Sequence, residues 1–437
     1  MKKSLLAASL VMVALSASAQ IPSIQRMGKV VPGKIEKNLT SQIEAKTPAV
    51  KRNKVKANAE AASSVAGEYV LNYNNWDGDF TECMMFTVKN ETGTITLDYV
   101  ENKPTFDYNV VLEGFTYSDA VAYGYYNEED GTISIPPQVI CNIMQYGDKK
   151  IDYGPVLLTG CTGAAGDGID EVGYEIVLEQ GEGGIMEFSS DLYGWCSMLP
   201  EYETGESAWN YGFEPRLLPV NSVMEYASSG SYFNGGQNGW VDGLTTKVNV
   251  EDYGVSVIVN NFLGLCPIEI EILEDGSCRT ENCQKVIDYE LEEPYLCYML
   301  MAGKADGNYL VPDVDAEYIY GNLLERADGS QLIGLFGIEA DDQGNMVYAD
   351  DPFPYVRVGS YLDADNAAYT LGWLHGISID LPTSGSGDDK TTGIVNANES
   401  RIQKVKNTKA YNLMGQEVDY RNSKGVIVLN GKKYIAK

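Results

Sequence analysis

The sequence predicts an all-β protein. Two tandem antiparallel domains, each a β-sandwich or a lipocalin-like barrel, are followed by a small C-terminal β-hairpin or sheet. Three observations carry this. Short runs alternate apolar and polar residues with a period of two, the signature of half-buried strands. The 437-residue chain holds 45 glycines and 30 tyrosines, which suits many strands joined by tight turns. No long stretch shows helical periodicity.

The first element is MKKSLLAASLVMVALSASAQ. Lys2 and Lys3 precede an apolar run from Leu5 to Leu15, and Ala17-Ser18-Ala19 supplies small residues for cleavage. This predicts a secretory signal peptide over residues 1–19. The apolar run is too short to cross a bilayer, and no later run of about 20 apolar residues exists, so no transmembrane anchor is expected in the mature chain. Residues 20–62 form a basic leader with nine Lys/Arg against three Glu and no strong apolar periodicity.

Beyond Val65 the alternation begins. In TGTITLDYV, Ile95, Leu97 and Tyr99 share one side; GTISIPP repeats the pattern with Ile133 and Ile135, and GVSVIVNNF with Val255, Val257 and Val259. A steady offset divides this body in two. Phe115 meets Phe262 and Val139-Ile140 meets Val286-Ile287, each 147 positions on. Tyr174, Leu178, Glu179 and Gly183 meet Tyr320, Leu324, Glu325 and Gly329 at 146, and Glu129-Asp130-Gly131 falls near Glu274-Asp275-Gly276. A duplicated unit of this length can bury its own core. The expected domains are therefore 63–219 and 220–382. The polar stretch LPTSGSGDDKTTG opens a linker over 383–399, and a tail occupies 400–437.

Charge narrows the partners. The chain has 32 Lys/Arg and 62 Asp/Glu. Removing Lys2, Lys3, the leader, and the tail's nine basic and two acidic residues leaves 12 against 57 for 63–399, a net of -45. Such a body repels nucleic acid and anionic membranes, while cations, basic proteins and neutral sugars remain admissible. The eight cysteines form no zinc-type spacing, and in an exported chain both disulfides and buried thiols are open to them.

The chemistry on offer is limited. A single histidine, His375, cannot build a histidine metal cluster, and neither a Gly-x-Ser-x-Gly elbow nor a phosphate-binding glycine loop accompanies it. Its expected role is strand packing beside Trp373. No cofactor is expected, with calcium as the one ion to consider: Asp77 and Asp79, Asp313 and Asp315, and Asp363 and Asp365 cluster oxygen donors in loops. Aspartates in turns also serve simply to bond backbone amides. For ligand binding, Tyr123 and Tyr125 lie beside an acidic turn, and Trp76 and Trp240 lie in Gly/Asn/Glu-rich surroundings, where rings can stack on sugars. The alternative for each ring is β-core packing.

The tail supplies a hairpin at Asn430-Gly431, with Val426–Leu429 pairing Lys432–Ala436, and a third strand from Tyr411. Tyr411, Asn412, Leu413, Gly415, Gln416 and Val418, followed by Lys424, Gly425, Lys432, Lys433 and Lys437, resemble the C-terminal sorting domain of the type IX (Por) secretion system of Bacteroidota. The Tyr-Pro-Asn-Pro opening of longer family members is absent, and Val426-Ile427-Val428 stands where a tyrosine usually follows Lys-Gly. The resemblance implies outer-membrane secretion machinery as a partner and a secreted or cell-surface location, or the periplasm if the signal is vestigial. The β body loosely resembles repeated β modules of surface proteins from that phylum. The expected function is non-catalytic binding or adhesion, with a glycan or an extracellular protein as ligand. The alternatives are a carboxylate-based hydrolase and a structural envelope protein.

Overall fold

The computed structural model describes residues 65–74, 80–98, 100–145, 151–164, 168–181, 184–189, 194–198, 208–235, 239–289, 296–306, 309–326, 328–335, 338–340, 346–348, 355–361, 367–382, 410–412, 417–418, 425–429 and 432–436. The expected signal segment, leader and linker lie outside these. Apart from one four-residue helix, α1 (Ser231–Asn234), every regular element among the described residues is a strand. The chain is all-β.

The first sheet holds β1 (Gly67–Asn74), β2 (Thr81–Thr96), β3 (Thr105–Glu113) and β4 (Val121–Asn127). It continues with β5 (Thr132–Ile135), β6 (Gln138–Gln145), β7 (Ile151–Ala164) and β8 (Gly168–Tyr174). Its last members are β9 (Ile176–Gln180), β10 (Met186–Phe188), β11 (Gly194–Met198) and β12 (Ala208–Pro219). The order is β1-β2-β3-β4-β5-β9-β10-β12-β11-β7-β6, with β8 on β7, and β12 also pairs with β1. That last pairing, Leu71 opposite Leu217, closes a ring, while β11, β7 and β6 form a second limb on β12. Within the ring, closure removes the exposed edges that an open sheet would offer to other chains.

The second sheet comprises β13 (Ser222–Ser229), β14 (Trp240–Val248), β15 (Val250–Asp252), β16 (Ser256–Phe262) and β17 (Cys266–Ile272). Then come β18 (Ser277–Glu281), β19 (Gln284–Tyr289), β20 (Leu296–Asp306), β21 (Tyr309–Pro312) and β22 (Tyr318–Glu325). β23 (Gln331–Leu335), β26 (Tyr355–Tyr361) and β27 (Ala367–Asp380) complete it, and a separate hairpin, β24 (Ile338–Ala340) with β25 (Met346–Tyr348), interrupts the run. Its order is β15-β16-β17-β18-β22-β23-β27-β26-β20-β19, with β13 joining β14 to β27 and β21 lying on β20.

The two sheets share one wiring diagram. If β14 and β15 together answer β2, every pairing of the first sheet has its counterpart in the second, down to β1–β12 and β13–β27. The Glu-Asp-Gly turns lead into β5 and β18, and Gly131 and Gly276 both take positive φ (64° and 86°) there. Phe115 and Phe262, each wholly buried, lie where β3 leads to β4 and β16 to β17. The match of Tyr174 with Tyr320 does not correspond in strand position: Tyr174 ends β8, whereas Tyr320 lies within β22.

By contacts the chain divides into two compact units. Unit 1 is Met1–Val220 with Asn260–Pro267 and Val286–Tyr298; unit 2 is Asn221–Val259, Ile268–Lys285 and Met299–Lys437. In unit 1 the core gathers Leu71, Phe86, Leu112, Phe115, Ile133, Ile135, Leu158, Ile176 and Trp195, all 2 % exposed or less. At roughly 1.5–3 kcal/mol per large apolar side chain removed from water, this is the unit's main stabilising term. In unit 2, Val257, Ile270, Ile272, Cys278, Ile333, Leu374 and Ile377 are fully buried at the alternating positions.

Side-chain amides take over where strands no longer pair. Gln138 of β6 accepts from the Tyr123 N–H and donates to the Tyr123 carbonyl, both at 2.8 Å. Asn109 makes the same two-way bridge to Tyr126 (2.6 and 2.9 Å). Each satisfies backbone groups that would otherwise be buried unpaired. The tail strands, β28 (Ala410–Asn412), β29 (Glu417–Val418), β30 (Gly425–Leu429) and β31 (Lys432–Ala436), form an antiparallel sheet in the order β29-β28-β30-β31.

Candidate functional site

In unit 2, β13 runs between β14 and β27, with Ser229 opposite both Trp240 and Trp373 and Ala227 opposite His375. Small residues on the middle strand leave room for rings from either side. The indole of Trp240 meets the imidazole of His375 edge-on, with centroids 4.3 Å apart and planes at 74°. Trp240 remains 40 % exposed, so one ring is both braced and accessible.

The local chain explains how Trp240 is held. α1 caps the β13–β14 connection, and the buried Asn234 donates through Nδ2 to the Gly239 carbonyl (3.3 Å), immediately before Trp240. Phe233 meets Tyr226 edge-on at 6.4 Å. Burial lowers the pKa of His375 below 6.5 and Asp242 opposes this from β14; burial prevails, so the imidazole is neutral at neutral pH. A neutral, packed imidazole beside an exposed indole is an aromatic surface with a polar edge. It can hold a ring-shaped or apolar ligand.

The other expected ring positions differ. Tyr123 packs against Tyr108 (centroids 4.6 Å), and Tyr125 lies on a satellite cluster of Leu97, Val100 and Phe106. Both are half-buried and committed to packing. Trp195, by contrast, is wholly buried in the unit 1 core, edge-on to Tyr73 at 5.4 Å. Trp76 lies outside the described residues.

Of the calcium candidates, Asp313 and Asp315 face Lys304: its Nζ is 2.7 Å from Asp313 Oδ1 and 3.8 Å from Asp315 Oδ2. An ammonium already occupies the ground between these carboxylates. Asp77, Asp79, Asp363 and Asp365 lie outside the described residues, among which no group of three or more metal-ligating side chains occurs. Cys83, Cys141, Cys161, Cys196, Cys266, Cys278 and Cys283 are free thiols. Of the tail residues singled out above, Tyr411, Asn412, Val418, Gly425, Lys432 and Lys433 lie in described strands; Leu413, Gly415, Gln416, Lys424 and Lys437 lie outside.

The sequence marks Trp240 and His375 separately, and sets His375 beside Trp373 rather than Trp240. His375 is 135 positions away, and only the β13–β27 register brings it near. Asp242 and Asn234 gave no signal beyond ordinary turn and strand composition. Comparison with protein-family models, with curated proteins and with solved structures found no match. Among the described residues no helix is long and apolar enough to cross a membrane.

Proposed function

We propose that this chain is an exported, non-catalytic binding protein of the cell exterior, which holds a glycan or an extracellular protein on an aromatic face of unit 2. One observation supports the reading above others: Trp240 keeps 40 % of its surface exposed while His375 fixes its ring from the side. An ordered, accessible indole loses little conformational freedom when a ligand docks, and rings of this kind dominate binding energetics. The amino-terminal signal pattern and the resemblance of the tail to a type IX sorting domain support export and delivery to the surface. In this reading the tail engages outer-membrane secretion machinery, and calcium remains a ligand to test.

The experiment is a binding screen of the purified chain on arrays of glycans and extracellular-matrix proteins, with and without calcium. The wild-type chain is expected to bind one class, Trp240→Ala to lose it, and Trp240→Phe to retain part. Equal binding by wild type and Trp240→Ala, or no binding to either array, contradicts the reading.

A further inference from the structure

A second face of unit 2 carries rings of a different kind. β17, β18 and β22 lie side by side, with Glu271 opposite Arg279, Arg279 opposite Tyr320, and Glu281 opposite Tyr318. Ile272, Cys278, Thr280 and Ile319 alternate with these residues and are buried, so the named side chains point outward. Tyr320 is 54 % exposed, more than any other large hydrophobic side chain among the described residues.

Arg279 is fixed on two sides. Its Nε donates to Glu271 Oε2 at 2.7 Å, and its guanidinium carbon lies 4.1 Å from the centre of the Tyr318 ring. Tyr318 and Tyr320 meet edge-on, 6.2 Å apart at 63°. The guanidinium is therefore oriented while its two Nη groups make no hydrogen bond to the described residues. Oriented donors and an exposed ring thus stand side by side on one face.

We propose that this face is a second binding site, for a neutral saccharide. The ring of Tyr320 takes the C–H face of a pyranose, the Nη groups of Arg279 donate to its hydroxyls, and acceptors at the margin come from Glu281 and from the exposed Asn322, two positions beyond Tyr320 on β22 and opposite Ser277. Charge selects the class. Glu271, Glu281 and Glu317, the last hydrogen-bonded to the Tyr318 side chain, outnumber Arg279, so the local field repels uronates and other polyanions. A cationic ligand at these rings would meet the fixed guanidinium of Arg279, which lies over Tyr318 and directly opposite Tyr320. The site does not depend on the reading of Trp240.

The test is calorimetric titration of the full chain with neutral hexasaccharides of several linkages, with a uronate oligomer and spermidine as the other arms. One neutral series is expected to bind. Made in the Trp240→Ala background, so that only this face responds, Tyr320→Ala and Arg279→Lys should each weaken it about tenfold or more, while Val314→Ala, at another exposed apolar position, leaves it within about twofold. Tyr320 is exposed, so its variants should fold, and circular dichroism checks that they do. Absence of neutral-saccharide binding, binding untouched by Tyr320→Ala, binding confined to the uronate or spermidine, or loss caused by Trp240→Ala alone would each overturn the proposal. The last result would leave the Trp240 reading intact.

Discussion

Trp240 and His375 meet edge-on at 4.3 Å across β13, so the chain's one histidine reports on its most suggestive tryptophan. Burial depresses the imidazole pKa from 6.5 and Asp242 partly offsets this. The unfolded chain therefore holds more protons than the folded one in the window below 6.5. Stability is complete above that value and is lost as pH falls through the folded-state pKa. An NMR titration should show a single imidazole midpoint below 6.5. Trp240→Ala, by opening the ring to water, should raise it, and Asp242→Asn should lower it further. A wild-type midpoint above 6.5 would contradict this packing.

Gly212 is a point of close approach in unit 1. A Cβ there would lie 2.7 Å from Trp195 Nε1 and 2.7 Å from the Tyr73 ring, both on buried side chains. Gly212→Ala should cost about 1–3 kcal/mol through overpacking. Gly67→Ala, where the nearest atom stands at an ordinary 3.8 Å, should stay within about 0.5 kcal/mol. Denaturant unfolding of the two variants checks the contrast, and equal costs would refute it.

Asn109 serves both backbone groups of Tyr126 from a position 1 % exposed. Asn109→Ala strands a buried N–H and a buried carbonyl and should cost about 2–4 kcal/mol. Amide exchange at Tyr126 should accelerate in the same variant. Unchanged exchange there would show that water or another group replaces the amide.

The thiols should be slow to react. Burial pushes Cys141 up to about 11 and raises Cys83, Cys161, Cys196 and Cys266 as well. Because the thiolate is the reactive form, alkylation at pH 8 should be slight until the chain is denatured. Non-reducing peptide mapping should find Cys278 and Cys283 unbridged, and a bridged peptide would contradict the free-thiol arrangement.

Much of the architecture was legible because strand burial repeats every second residue. Ile133 and Ile135, or Val257 and Val259, announce their side by alternation alone, and all four are buried. Turn chemistry was equally local, as the two Glu-Asp-Gly turns show. What alternation could not separate was one outward ring from another. Tyr125 and Tyr320 both occupy outward strand positions, yet one lies on a satellite cluster and the other on open solvent. That difference depends on which strand lies alongside, and the deciding residues stand 19 to 28 positions away for Tyr125 and 41 for Tyr320. The same limit applies to Asp313, whose Lys304 comes from the far side of a hairpin, β20 to β21. It applies too to the compact units, since Asn260–Pro267 and Val286–Tyr298 fall with unit 1.

Hydroxyl-radical footprinting of the intact chain, read ring by ring by mass spectrometry, is the most direct measurement. Trp240 and Tyr320 should oxidise fastest among the described rings, Tyr123 and Tyr125 at intermediate rates, and Trp195, Tyr69, Tyr73 and Tyr126 slowest. Protection of Trp240 and Tyr320 to the level of Trp195 would remove the accessible aromatic faces on which both binding proposals rest.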